Sequence, residues 1–191
     1  MTMYEQPSPL YQPPVQRRGL LADRRFLFIG GGAVIAIILA IVLLNSGGGS
    51  DTKTLTEHLS ARYDNLVKLT GVAQQNIGNA ALGKLNAEAY LLTTSDDSAI
   101  AALVTTRYGS MDGDITKAEA DTSSQTTLNN ALQLNTYDTT YKSLLGDKLT
   151  NLTLLVSEII SKTNNANTIS VMKHAQTNLK ALEDRLTAVN L

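Results

Sequence analysis

The stretch MKHAQTNLKALEDRLTAV, residues 172–189, decides how this chain folds. Met172, Ala175, Leu179, Leu182, Leu186 and Val189 recur at alternating steps of three and four, which places them on one face of a helix and leaves most charged residues on the other. Such a heptad-like seam is stable only when it is buried against other helices. Cutting back a seam residue, as in Leu182→Ala, is expected to cost about 2–5 kcal/mol.

Partners for that seam lie upstream. Tyr141, Leu145, Leu149, Leu152, Val156 and Ile159 form a second stripe from about 137 to 162, closed by the turn-favouring run Asn164-Asn165-Ala166-Asn167. A third set, Ile100, Leu103, Val104, Tyr108, Met111, Ile115 and Ala118, predicts another helix, whose boundary with its successor falls either at about 122 or at about 136. The first apolar face begins at Leu55 and runs through Leu59, Tyr63, Leu66, Ala73, Ile77, Ala81 and Leu85, predicting a helix over about 52–94, weakened at Gly71, Gly78 and Gly83. Thr94-Ser95-Asp96-Asp97-Ser98 reads as the turn that follows, with Asp96 and Asp97 as helix caps. No segment alternates with a period of two, and no proline follows Pro14. The expected fold class is therefore all-α, an up-and-down bundle of about four antiparallel helices over residues 52–191.

The amino-terminal part has a different composition. Residues 1–25 contain all four prolines and four arginines, Arg17, Arg18, Arg24 and Arg25, against Glu5 and Asp23, and read as a disordered basic cytoplasmic tail. Residues 26–44, FLFIGGGAVIAIILAIVLL, carry no charge; at 1.5 Å per residue they reach about 28 Å, the thickness of a bilayer core. This run is longer than a cleavable signal core and lacks a small-residue cleavage site after it, so it predicts a retained transmembrane signal anchor. The four arginines before it, with no basic residue after it until Lys53, predict a cytoplasmic amino terminus and an extracytoplasmic bundle. Gly32, Ala36 and Ala40 form a small-residue row that would allow two such spans to pack closely. Residues 45–51, Asn-Ser-Gly-Gly-Gly-Ser-Asp, predict a flexible linker suited to anchoring and poorly suited to transmitting a rotation or piston motion.

This plan, together with Arg62-Tyr63-Asp64-Asn65-Leu66-Val67, resembles that of LemA-type membrane proteins. The carboxy-terminal half departs from that family's Tyr-Pro-Asp-Leu stretch, having no proline, so the resemblance assigns no family and carries over no residue role.

Composition narrows the chemistry. The chain has 191 residues and no cysteine, which removes disulfides, thiolate metal sites, thiol nucleophiles and lipidated-cysteine anchors. Residues 51–191 hold 12 Lys and Arg against 15 Asp and Glu, so no basic field invites nucleic acid. His58 and His174 are the only histidines and neither has a carboxylate at helical spacing on its own face, so no metal site is expected; Met111-Asp112-Gly113-Asp114 lacks the remaining positions of a calcium loop. Nucleophile-elbow, zinc-protease, phosphate-loop and dinucleotide signatures are absent, and no catalytic residue or cofactor is expected. Tyr137 and Tyr141 share a face at i, i+4, either as core packing or as a candidate recognition patch.

The expected role is thus that of a single-pass surface or bacterial-envelope protein, not an enzyme, whose bundle serves as a binding, adhesion or assembly module. Its partners would be the lipid bilayer and a protein of unspecified kind, a second copy of the chain included. The alternative is an extracytoplasmic sensory or ligand-binding bundle that acts through a partner membrane protein. Assembly would call for an exposed apolar stripe, and sensing for a buried polar cavity.

Overall fold

The computed structural model describes residues 52–191, and these are all-helical: α1 (Thr52–Ala73), α2 (Ala80–Tyr108), α3 (Gly113–Ala118), α4 (Thr122–Gln133), α5 (Tyr137–Lys162) and α6 (Ala166–Ala188). The tail, the apolar run with Gly32, Ala36 and Ala40, the four arginines and the linker lie outside the described residues. Among the described residues no helix is long and apolar enough to cross a membrane.

The stripes read from the sequence pack together. Leu59, Tyr63 and Leu66 of α1, Leu82 and Ile100 of α2, Leu145, Leu149 and Ile159 of α5, and Met172, Leu179 and Leu182 of α6 are all buried in one apolar core. The four long helices form a closed ring, α1 against α2, α2 against α6, α6 against α5 and α5 against α1. Hydrogen bonds between elements fix the directions. Thr52 at the start of α1 donates to the Lys162 carbonyl at the end of α5 (3.3 Å), while the backbone N–H groups of Gly78 and Asn79, just past α1, donate to the Asp138 carboxylate at the start of α5 (3.0 and 2.7 Å). Along the α2–α6 pair, Glu88 meets Arg185 and, near the other end, Arg107 donates to Thr168. Every neighbouring pair in the ring is therefore antiparallel. Because α2 and α5 run the same way, residues 109–136 must carry the chain back along the bundle, and α3 and α4 do so, α4 lying against α5.

The boundaries differ from the sequence expectation in three places. The first helix stops at Ala73 rather than at about 94; the break over 74–79 contains Gly78, and Asn79 caps α2 by accepting from the N–H groups of Ala81 and Leu82 (both 3.0 Å). The expected turn over Thr94–Ser98 is instead helix interior. Thr93, Thr94 and Ser98 turn their hydroxyls back onto the carbonyls four residues earlier (2.7, 2.6 and 2.9 Å), and Asp96 is buried rather than capping. The helix ends at Tyr108, before either boundary considered, where Gly109 takes a positive φ (+88°) that side-chain-bearing residues rarely adopt and turns the chain out of the helix. Both later boundaries exist: Asp121 caps α4 at Ser124 N–H (3.0 Å), and α4 and α5 are separated at Leu134–Thr136, where Asn135 has φ +53°.

Candidate functional site

The densest polar assembly joins α1 to the junction between α3 and α4. His58, Arg62 and Asn65 stand one and two turns apart on α1 and converge on Glu119. Arg62 donates to both carboxylate oxygens (Nε to Oε2 and Nη2 to Oε1, each 2.9 Å), His58 Nδ1 lies 2.7 Å from Oε1, and Asn65 Nδ2 donates to the Glu119 backbone carbonyl (2.6 Å). Burial by itself would push the Glu119 carboxyl up; the hydrogen bonds and charge of His58 and Arg62 outweigh it and hold the group at about 2. Two residues on, Asp121 pairs with Lys148 of α5 while capping α4, and these bonds likewise overcome burial to hold it at about 2.

A second assembly lies between α1, α2 and α6. Asp96 of α2 is buried and accepts from Asn178 Nδ2 (3.0 and 3.2 Å), with His174 Nε2 at 3.8 Å. Burial pushes its carboxyl up, an effect that Asn178 and His174 reduce. Neighbouring Asp97 is pushed to about 6, first by burial and then by Asp64, with Lys68 opposing. The fully buried Tyr63 hydroxyl, raised by burial and by both aspartates, has no hydrogen-bond partner among the described residues. In the centre of the bundle, Tyr141 donates to Asn86 Oδ1 and Asn86 Nδ2 donates to the Thr70 carbonyl (3.0 Å), tying α5, α2 and the last turn of α1 together.

Tyr137 and Tyr141 do come together, with parallel-stacked rings 6.3 Å apart, and both are buried; they pack the core rather than form a surface patch. Each histidine has a carboxylate neighbour from a distant part of the chain, Glu119 for His58 and Asp96 for His174, which helical spacing could not reveal. Asp112 of the calcium-loop-like run caps α3 by accepting from Asp114 N–H (2.8 Å). Among the described residues no three His, Asp or Glu side chains converge as metal ligands. An open groove of about 750 Å³ on α5 and α6 is lined by Thr153, Gln176, Lys180, Glu183 and Asp184, a mixed set with no dominant charge.

Among the described residues the large exposed apolar ones are Val72, Leu91, Leu132, Leu134, Leu154 and Leu191, and they do not line one helix face. Their positions along the bundle are less scattered. Val72 closes α1, Leu132 and Leu134 close α4, and Leu191 follows α6, whose carboxyl end meets Asn79 through the Asn190 carbonyl (3.2 Å). These four therefore sit at the end of the bundle opposite Thr52. Fold and site together define an all-α bundle whose described polar clusters pair side chains across helices, at Glu119, at Asp121, at Asp96 and at Asn86. No protein-family model matches the chain, and neither curated proteins nor solved structures provide a match, so Arg62–Val67 assigns no family.

Proposed function

We propose that this chain is a membrane-anchored surface or envelope protein, amino terminus inside, whose bundle is a non-catalytic binding, adhesion or assembly module. The observation that carries this reading is the order of parts: an uncharged 19-residue apolar run behind four arginines, a glycine-rich run, then a bundle with Val72, Leu132, Leu134 and Leu191 exposed at the end opposite Thr52. Among the described residues that end carries most of the large exposed apolar side chains, the kind of surface a partner would cover. The mutual bonding of Thr70, Asn86 and Tyr141 leaves those central polar groups committed to the fold, which favours surface binding over an internal ligand.

The test uses the full-length chain at the surface of its own cells, with capture after cross-linking. A partner, a second copy included, should be retained by the unmodified chain and lost with Leu132→Ser/Leu134→Ser. Identical captures from both chains would contradict the reading.

A further inference from the structure

Residues 109–136 are only lightly invested in the core. None of α3 is buried, α4 buries only Ser124, Leu128 and Ala131, and Leu128 is the segment's one member of the main apolar cluster. The ring of α1, α2, α6 and α5 closes by direct helix-to-helix packing without it. Attachment is instead concentrated in two acidic residues at the α3–α4 junction, Glu119 gripping α1 and Asp121 gripping α5. Beyond them α4 stands off α1 across a gap of about 80 Å³ lined by Asn65, Lys68, Leu69, Val72, Ser124 and Gln125, room for a few water molecules. At both ends of the segment the backbone turns through a residue of positive φ, Gly109 and Asn135.

We propose that residues 109–136 form a strap that opens as a unit from the closed four-helix ring, buckled by the Glu119 and Asp121 ion pairs. Opening would uncover the half-buried α1 side chains that Glu119 holds, His58, Arg62 and Asn65, and leave the ring intact, a subglobal transition of the kind that low apolar burial permits. The strap half-covers the α1 face of His58, Arg62 and Asn65, apart from the exposed end of the bundle, and its existence does not depend on the proposed function.

Hydrogen–deuterium exchange on the full-length chain, read by peptide mass, tests this with Glu119→Ala and Lys148→Met. In the unmodified chain, amides over 113–133 should exchange ahead of those in α1, α2, α5 and α6. Each variant should speed the strap alone, by about tenfold to a hundredfold for the charge-assisted hydrogen bonds it removes. The proposal is overturned if the strap is protected as well as the long helices, or if neither variant changes its exchange. It is equally overturned if Glu119→Ala loosens or unfolds the whole ring, because the clasp would then be part of the core.

Discussion

Removing a single oxygen tests the central hydrogen-bonded link. Tyr141 is fully buried, and its hydroxyl donates to Asn86 Oδ1, whose amide nitrogen donates to the Thr70 carbonyl. In Tyr141→Phe the ring still packs, but Asn86 Oδ1 is left without its partner in a place water does not reach. The cost should be about 1–3 kcal/mol, the penalty for an orphaned buried acceptor. In a domain of this size each kcal/mol corresponds to roughly 3–5 °C in Tm, so the midpoint should fall by about 3–15 °C. Asn86→Ala should cost at least as much, since it orphans both the Tyr141 hydroxyl and the Thr70 carbonyl. The double variant should cost less than the two single changes added together, by about 1 kcal/mol or more. Urea unfolding followed by helical circular dichroism on the full-length chain supplies all four corners of the cycle. Additive costs, or a neutral Tyr141→Phe, would refute the reasoning.

Two further outcomes follow from burial and charge. Leu149→Ala, which empties a fully buried position, should destabilise the fold by about 2–5 kcal/mol, whereas Leu91→Ala at an exposed site should stay within about 0.5 kcal/mol; equal effects in urea unfolding would mean the core is misplaced. Stability should peak in mildly acidic solution. Asp96 and Asp97 have folded values raised above the unfolded range by burial, so each contributes fully below about pH 4 and loses that contribution as pH rises through its folded value, about 6 for Asp97. Glu119 and Asp121, held at about 2, contribute the opposite way, present above about pH 4 and lost as pH falls toward 2. A urea midpoint that climbs steadily from pH 5 to 8, or an Asp97→Asn variant that leaves the upper limb unchanged, would contradict this assignment.

The all-α class and the last two long helices were legible because their apolar residues repeat at the helical period and their ends carry local signals. The run Asn164–Asn167 falls where α5 gives way to α6, and Asn165 caps the latter. The run Thr94–Ser98 was misleading for the same local reason: hydroxyl and carboxyl side chains favour turns in isolation, yet here the Thr94 and Ser98 hydroxyls bond back along the helix, and Asn178 from 82 residues away donates to Asp96. The true break at 74–79 depends on the Asp138 carboxylate, about sixty residues distant, which no local pattern announces. The Glu119 clasp was half legible. His58, Arg62 and Asn65 share an α1 face by spacing, but Glu119 sits in a short polar stretch with nothing to mark it as their common partner.

The central claim is that the apolar run holds the chain in a membrane with the bundle outside, and the absence of cysteine allows a direct measurement. Ser8→Cys places one thiol in the tail and Ser98→Cys places one on the exposed surface of α2. With a membrane-impermeant maleimide on intact cells, Ser98→Cys should be labelled at once and Ser8→Cys only after the membrane is permeabilised. Labelling of Ser8→Cys in intact cells with Ser98→Cys shielded, or recovery of either chain in the membrane-free fraction, would contradict the account.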